Sequence, residues 1–337
     1  MKVLLITPGP AEFFRGPAAT VERYRNGLLR RGHLCEVFGD GSHGALKRSL
    51  AGTILRLRPD VVHAHDAFRS GIQLLGLRTP WVVSISGDDL HQHSRDAAVG
   101  PQVCEVLREA SRVLVPSEDA ARDVERIAAE SVGKIDVVPR SAPELPAGGT
   151  DLRRSLGIPR NRLLVLVPGG LRPVKAQHHV FPLIDALRQG GVDAEIVVVG
   201  PEQDAAYAES LRERAKNEPR VRILPPLSTE RMGASYRNAD VVLVTSTAEA
   251  QSPVVLEAGL LGRPVIARDI PANRELIRHR ESGLLFQDDE SLARCVLALV
   301  KNRSAAGALG VRLREDLSRR FDPEIEIDRL LSAYAAA

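Results

Sequence analysis

The sequence predicts an α/β protein of two domains, each built on a parallel sheet that helices cover. Three observations support this fold class. Short runs rich in β-branched residues alternate with longer segments of helical periodicity. A segment rich in proline and glycine, residues 139–150, interrupts this alternation, which then begins again. A chain of 337 residues has room for two domains, and 44% hydrophobic residues suffice for a core in each.

The first half of the chain contains six predicted strands that are largely apolar. They are KVLLIT (2–7), LCEVF (34–38), DVVHAH (60–65), WVVSIS (81–86), RVLVPS (112–117) and IDVVP (135–139). A helix is predicted from Thr20 to Arg31, where Val21, Tyr24 and Leu28 recur at helical spacing. Apolar strands joined by helices indicate a parallel sheet buried on both faces, and right-handed crossovers make it a Rossmann-like layer.

The same pattern begins again after residues 139–150, which we interpret as an interdomain linker. The predicted strands are LLVLVP (163–168), AEIVVVG (194–200), RVRIL (220–224), DVVLVTS (240–246), RPVIAR (263–268) and GLLF (283–286). The predicted helices cover about 177–189, 204–217, 229–238, 253–262, 271–279 and 288–301. We therefore expect an N-terminal domain over 1–145 and a C-terminal domain over 151–320. A helix over about 321–337 is expected to return to the first domain, although its spacing alone does not show this.

Composition argues against several classes of protein. The net charge of +3, from 46 Lys and Arg against 43 Asp and Glu, is too mild to indicate nucleic-acid binding. Cys35, Cys104 and Cys295 lack pair spacing, so they are read as reduced thiols rather than a disulfide frame. No set of ligands has metal-site spacing, and no secretory signal or membrane-spanning run is seen. We therefore expect a cytoplasmic protein without a metal site.

The residues after the strand DVVLVTS favour an anion site. A loop with Glu249 and Gln251 leads to Pro253, which suits the first turn of a helix because its missing N–H is not needed there. The other N–H groups at this helix start would lack partners and would be those of Ser252, Val254 and Val255. Such groups, at the carboxyl edge of a parallel sheet, suit a diphosphate.

Two carboxylates flank this helix start. Glu249 precedes it, and Glu257 lies about one turn inside the helix. Since carboxylates only accept hydrogen bonds, one would bind sugar hydroxyls and the other ribose hydroxyls. Alternatively, Glu257 is a helix-surface residue and Glu249 interacts with the helix dipole. The order of strand, Glu loop, proline helix start, second Glu and following strand favours the first interpretation.

This stretch resembles the hallmark of glycosyltransferase family 4, also called group 1, of retaining GT-B enzymes. That family has two Glu residues separated by seven others and then a Gly-x-Pro-Val-Ile-Ala strand, which here are Glu249, Glu257 and residues 262–267. The resemblance covers nearly the whole chain and implies a GT-B fold, in which two Rossmann-like domains face a cleft. Ala250 and Ser252 stand where the family commonly has glycine, which would narrow the sugar pocket or change the donor.

A second segment, PGGLRPVKAQ (168–177), follows the first strand of the second domain. Arg172 and Lys175 are cations at a strand end that would stabilise a leaving diphosphate, and a solvated basic turn is the alternative. By resemblance, Gly170 stands where the family has an arginine, so Arg172 would substitute from two positions later. This form is similar to the branch called glycosyltransferase 1 domain-containing protein 1.

The resemblance implies two further contacts with the donor. Backbone groups around Leu224 and Pro225, at the end of a strand, would meet the base, and a plain exit from strand to loop is equally compatible with the sequence. Gly16, before the first helix, would let the backbone approach the donor diphosphate. Here Gly16 and Pro17 replace the usual pair of glycines.

The first domain is expected to bind the acceptor through His65, Ser86 and Asp88. His63 and His65 alternate onto one side of a strand, where a structural role for each is equally compatible with the sequence. Ser86 stands where many family members have a histidine that contacts the donor sugar. Asp88 or Asp89 would hydrogen-bond an acceptor hydroxyl or amine, or would cap the following helix.

Together these features predict a retaining glycosyltransferase that moves a sugar from a nucleotide-sugar to an unidentified small-molecule or glycan acceptor. Glu249, Arg172 and Lys175 are the expected catalytic residues. The expected donor is a UDP-sugar, and no metal or other cofactor is required. The alternatives are a selenosugar or thiosugar synthase and a non-catalytic nucleotide-sugar-binding protein. A basic helix that contains Lys47 and Arg56 would permit membrane contact, but an ordinary outer helix is the favoured interpretation.

Overall fold

The computed structural model describes residues 1–7, 15–39, 43–146, 148–150 and 152–337. The chain forms two compact units. Unit 1 comprises Met1–Pro143 together with Phe321–Ala337, and unit 2 comprises Glu144–Arg320.

The described part of unit 1 contains one parallel sheet of six strands, in the order β2-β1-β3-β4-β5-β6. The strands are β1 (Lys2–Ile6), β2 (Leu34–Phe38), β3 (Val61–His65), β4 (Trp81–Ser84), β5 (Arg112–Val115) and β6 (Ile135–Val137). The helices among them are α1 (Arg15–Arg30), α2 (His43–Leu57), α3 (Gly87–His91), α4 (Gly100–Glu109) and α5 (Glu118–Ile127). All residues of β3 and β4 are buried, as the apolar runs predict for central parallel strands.

Unit 2 has a second parallel sheet, whose six described strands follow the order β12-β11-β10-β7-β8-β9. The strands are β7 (Leu163–Pro168), β8 (Ala194–Val199), β9 (Val221–Leu224), β10 (Val241–Val244), β11 (Val265–Arg268) and β12 (Leu284–Phe286). The helices are α6 (Leu152–Leu156), α7 (Val180–Gln189), α8 (Ala205–Lys216), α9 (Thr229–Asn238), α10 (Pro253–Leu260), α11 (Pro271–Arg274), α12 (Asp289–Lys301) and α13 (Arg303–Arg320). Because the strands are parallel, the loops that follow them share one edge of this sheet.

The chain ends in a further helix, α14 (Pro323–Ala335), which belongs to unit 1. Ile327, Leu330, Ala333 and Tyr334 are buried in the same apolar cluster as residues of β1 and α1. The carboxylate of Glu326 accepts hydrogen bonds from Nε and Nη2 of Arg23 on α1, at 2.8 and 2.9 Å. This helix therefore contributes both apolar and charged contacts to unit 1.

The predicted α/β class with parallel sheets is confirmed, and the element prediction was wrong in several details, of which three follow. The strand predicted over 81–86 ends at Ser84, because Ser86 caps α3. The helix predicted over 271–279 ends at Arg274. Helix α13 was missed, although Leu309, Leu313 and Leu317 recur every four residues and are buried.

Candidate functional site

The loops after β7 and β10 lie side by side, because these two strands are neighbours in the sheet of unit 2. Thr245 Oγ1 donates a hydrogen bond to the carbonyl of Lys175 at 2.6 Å. The N–H of Thr247 donates to the carbonyl of Val174 at 2.9 Å. These bonds fix the backbone around Lys175 against the end of β10.

Lys175 and Glu249, one from each of these loops, form an ion pair. Lys175 Nζ lies 2.5 Å from Glu249 Oε1, and the side chains are 16% and 11% exposed. The structure therefore brings together two of the residues that the sequence predicted to be catalytic. The sequence did not predict that they pair with each other.

Helix α10 begins at Pro253 with an unusual set of hydrogen-bond donors. Ser252 occupies the N-cap position, but its side chain makes no capping hydrogen bond. Its Oγ is buried and has no hydrogen-bond partner among the residues that the structure describes. No hydrogen bond joins the N–H of Val254 or Val255 to another described residue outside the helix. A buried hydroxyl and two first-turn N–H groups at a helix start form a strong anion-binding arrangement.

Glu257 lies on α10, one turn after this start, and is partly buried. Tyr236, which is fully buried on α9, donates its hydroxyl to Glu257 Oε2 at 2.6 Å. Burial raises the pKa of the Glu257 carboxyl, and the hydrogen bond from Tyr236 partly offsets this effect. Burial, followed by the charge of Glu257, raises the pKa of Tyr236 well above its ordinary value, so this hydroxyl stays protonated and donates. Tyr236 was not among the predicted site residues.

The other predicted donor contacts occupy the same edge of the sheet. Gln251 is buried, and Arg172 precedes the short turn Pro173–Lys175. Leu224 ends β9, and its carbonyl accepts a hydrogen bond from the N–H of Gly200 at 3.3 Å.

Glycines allow the loops after β7 and β8 to pack closely. A Cβ on Gly200 would lie 1.9 Å from the carbonyl oxygen of Gly169, so a side chain is excluded there. A Cβ on Gly170 would lie 2.1 Å from Gln203 Oε1. The side chain of Gln203 therefore occupies the space in which an arginine at position 170 would begin.

In unit 1, Ser86 and Asp89 form a capping box at the start of α3. Asp89 Oδ2 accepts hydrogen bonds from the N–H and the hydroxyl of Ser86, at 2.9 and 2.8 Å. The same carboxylate also accepts the N–H groups of Ala67 and Phe68. The alternative of a helix-capping role is therefore confirmed for Asp89, which acts from the third helical position, while the N-cap residue itself is Ser86 rather than Asp88. Asp88 stays half-buried.

His63 and His65 lie on one side of β3 with their ring centroids 4.1 Å apart. His63 is fully buried between the hydroxyls of Tyr334 and Ser84, at 2.6 and 2.8 Å. Burial lowers the pKa of His63 to about 3, so this ring is neutral near neutral pH. Burial and the neighbouring His63 lower the pKa of His65 well below its ordinary value. His65 Nε2 is buried, and no described residue forms a hydrogen bond with it.

Asp66 follows His65 directly and was not predicted as a site residue. Its φ of 139° is unusual for a residue with a side chain, and it is 4% exposed. Its Oδ1 accepts the N–H groups of Arg69 and Ser70, both at 2.8 Å. Burial, and then the nearby Asp89, raise the pKa of Asp66 to about 7.

Three further predictions concern Gly16, a metal site and a membrane-spanning helix. Gly16 lies in the first turn of α1, and its surroundings are outside the described residues. In the described part of the chain, no group of three or more His, Cys, Asp or Glu residues is placed to hold a metal ion. Within the same residues, no helix is both long and apolar enough to cross a membrane.

Comparison with known families identifies the chain. A sequence model described as Glycosyl transferases group 1 matches residues 149–321, and one described as Glycosyl transferase 4-like domain matches residues 2–141. The chain belongs to the group 1 glycosyl transferases. Both units of this glycosyl transferase are thus covered, and the family suggested by Glu249 and Glu257 is confirmed.

Curated relatives are 24–30% identical to this glycosyl transferase over the aligned residues. D-inositol 3-phosphate glycosyltransferase of Rhodococcus erythropolis is 29% identical over 245 residues, which are 69% of this chain and 55% of that protein. The chain thus spans about half the length of such relatives. Glycosyltransferase 1 domain-containing protein 1 of Xenopus tropicalis is 24% identical over 283 residues, 80% of each chain.

Solved structures confirm the GT-B fold. The Anabaena protein HepE, crystallised with UDP-glucose, superposes with a TM-score of 0.80 at 21% identity, over 100% of both chains. Sucrose-phosphate synthase from Thermosynechococcus elongatus gives 0.81 at 18% identity, over 99% of this chain and 98% of that one.

Proposed function

We propose that this chain transfers a sugar from a nucleoside-diphosphate sugar to an acceptor, with retention of the anomeric configuration. The observation that supports this best is the carboxyl edge of unit 2. There the ion pair of Lys175 with Glu249 accompanies a helix start whose buried Ser252 hydroxyl has no partner in the described part of the chain. An anion and a set of sugar hydroxyls are the ligands that such donors and acceptors fit.

In this proposal the donor diphosphate binds at the start of α10. Lys175 and Arg172 supply positive charge, while Ser252 and the N–H groups of Val254 and Val255 supply hydrogen-bond donors. Gln251 and Gly16 would add polar and backbone contacts. Groups already fixed by the fold need no reorganisation as charge develops on the leaving diphosphate. Removing one such donor typically costs about 10²- to 10³-fold in rate.

The remaining groups would position the two sugars and the base. Glu249 would accept hydrogen bonds from hydroxyls of the transferred sugar, and Glu257 would accept them from the ribose hydroxyls. The backbone near Leu224 would contact the base. Transfer breaks the bond between the anomeric carbon and the diphosphate oxygen, and the acceptor oxygen attacks the same face. The acceptor proton passes to the leaving phosphate oxygen, so no separate base from the protein is needed.

A UDP-sugar is the proposed donor, since HepE, which has a similar fold, was crystallised with UDP-glucose. We place the acceptor at unit 1, near His65, Ser86 and Asp88. The acceptor would be a small molecule or glycan with a free hydroxyl.

A screen of UDP-, GDP- and ADP-sugars by thermal shift would test donor binding in wild type, Glu257→Ala and Glu281→Ala. Glu281 is an exposed glutamate of unit 2 and serves as the matched control. One class of nucleotide-sugar should raise the midpoint temperature of unfolding of wild type and of Glu281→Ala. It should raise the midpoint temperature of Glu257→Ala much less. If no donor shifts the wild type, the proposal fails. Binding without hydrolysis or transfer would instead indicate a nucleotide-sugar-binding protein.

A further inference from the structure

We propose that Tyr236 is a positioning residue that holds the Glu257 carboxylate in place for the ribose hydroxyls of the donor. This inference rests on the proposed function, because it assigns Glu257 to the ribose. Tyr236 lies on α9 and Glu257 on α10, so the contact links two helices that are separate in sequence.

The contact has a defined direction. The Tyr236 hydroxyl lies 2.6 Å from Glu257 Oε2, and a carboxylate only accepts hydrogen bonds, so the hydroxyl donates. Tyr236 is 1% exposed, so its ring is held by the surrounding core. A glutamate side chain turns about several bonds, and an anchor on Oε2 fixes the plane of the carboxylate. The other oxygen of Glu257, Oε1, has no hydrogen-bond partner among the described residues, so it is available to a ligand.

The absence of a neutralising cation sets Glu257 apart from a structural carboxylate in the same unit. Glu195 is fully buried, and Arg162 and Arg222 bind its two oxygens. For Glu257, the described residues provide only the neutral hydroxyl of Tyr236. Glu257 is partly buried, and withdrawing a carboxylate from water without a cation beside it is costly, so a cation would be expected if the role were purely structural. A pair of ribose hydroxyls would supply the missing hydrogen bonds.

Isothermal titration of UDP and of 2′,3′-dideoxyuridine diphosphate would test this role. Wild type should bind UDP more tightly than the dideoxy compound. Tyr236→Phe should weaken UDP binding by about tenfold, the order expected for one hydrogen bond to a charged group, and leave the dideoxy compound unaffected. In a Glu257→Gln background, Tyr236→Phe should have little further effect.

Matched variants separate positioning from a general structural effect. Tyr207→Phe removes another tyrosine hydroxyl of unit 2, which accepts the N–H of His178 at 3.1 Å, and should bind UDP like wild type. If Tyr236→Phe does not fold, Glu257→Asp, whose shorter side chain draws away from Tyr236, should show the same selective loss.

Three results would contradict the positioning role of Tyr236, and one of them would also contradict the proposed function. Unchanged UDP binding by Tyr236→Phe overturns the positioning role and leaves the proposed function intact. If Tyr236→Phe loses affinity equally for UDP and for the dideoxy compound, the positioning role is also overturned, because the effect would then not depend on the ribose hydroxyls. Failure of wild type to bind UDP, GDP or ADP overturns the proposed function and this role with it.

Discussion

At the scale of single residues, three carboxylates differ in what balances their charge. Among the described residues, Glu249 has the ammonium of Lys175, Glu257 has the hydroxyl of Tyr236, and Asp66 has two backbone N–H groups. These partners decide which group is free for a ligand, whereas burial and the nearby Asp89 make Asp66 titrate near neutral pH. Each difference leads to a measurable effect of a single substitution.

The pair of Lys175 and Glu249 predicts opposite effects of two substitutions on nucleotide binding. Lys175→Met removes the cation proposed to bind the diphosphate, so UDP should bind more weakly and transfer should slow by about 10²- to 10³-fold. Glu249→Gln removes the charge that neutralises Lys175, so UDP should bind at least as tightly while transfer slows. Titration with UDP and single-turnover rates would measure both. If the UDP affinity of Glu249→Gln falls as much as that of Lys175→Met, this division of roles is refuted.

Asp66 predicts an unusual dependence of stability on pH. With a pKa of about 7 when folded and 3.8 ordinarily, it holds a proton in the folded state that the unfolded chain lacks between these values. Stability from this group therefore falls as pH rises from about 4 to about 7. Asp66→Asn should match wild type near pH 4 and exceed it above pH 7, by at most about 4 kcal/mol.

Chemical unfolding at several pH values would measure this difference. Asp96→Asn is a suitable control, because Asp96 is exposed and likewise accepts two backbone N–H groups in a turn. A gap between Asp66→Asn and wild type that does not change with pH would contradict the assignment.

The sequence predicted some site residues and not their partners, for physical reasons. Glu249, Lys175 and Pro253 stand in a recognisable order along the chain, so they were found. The hydrogen bond from Tyr236 to Glu257 joins two helices that are separate in sequence. A tyrosine at an apolar position of a helical pattern is ordinarily predicted to be a core residue. The backbone conformation of Asp66 depends on tertiary contacts with Asp89 and the turn that follows, which no local pattern reveals.

At the scale of elements, the start of α10 makes the clearest prediction. Ser252→Ala removes a buried hydroxyl that makes no hydrogen bond to any described residue, so the ligand-free protein should become more stable by about 1 kcal/mol. The same change should reduce the thermal shift that UDP produces, since one proposed donor to the diphosphate is lost. Calorimetry with and without UDP would show both effects.

A second N-cap serine provides the control for this prediction. Ser117 caps α5, and its Oγ accepts the N–H of Ala120 at 3.1 Å. Ser117→Ala should therefore destabilise the protein by about 1 kcal/mol and leave the UDP shift unchanged. Two serine-to-alanine changes at helix starts would then have opposite signs. If both lower stability alike, the Ser252 hydroxyl has a structural partner after all.

Element prediction succeeded where local signals were strong. Strand 163–168 and helix 229–238 have the predicted bounds, since each has an uninterrupted apolar run or a clear N-cap serine. The helix predicted over 253–262 ends at Leu260, shortly before Gly262, whose φ of 69° suits a helix terminus. The predicted 271–279 helix failed because an apolar residue such as Ile277 can be buried equally well from a loop.

At the scale of the whole molecule, the chain leaves unit 1, forms unit 2 and returns as α14. The sequence predicted a helix here from its apolar spacing, but spacing does not identify the surface on which a helix packs. The polar contacts of unit 1 that depend on this return include Arg23 with Glu326 and His63 with Tyr334. Unit 1 is therefore completed by the last residues of the chain.

The buried pair of Arg23 and Glu326 allows this dependence to be measured. Glu326 is 1% exposed, so Glu326→Gln leaves the Arg23 charge without its partner and should destabilise unit 1 by about 3 kcal/mol. Trp81, the single tryptophan, is buried in β4 and reports the unfolding of unit 1 by fluorescence. Glu324→Gln is the matched control, because Glu324 lies on the same helix but is exposed and pairs with Arg30 and Arg31 at the surface. Its cost should be much smaller, because ion pairs at an exposed surface are screened by water and contribute little. Equal losses for the two variants would show that α14 stabilises unit 1 through surface charge rather than through the buried pair.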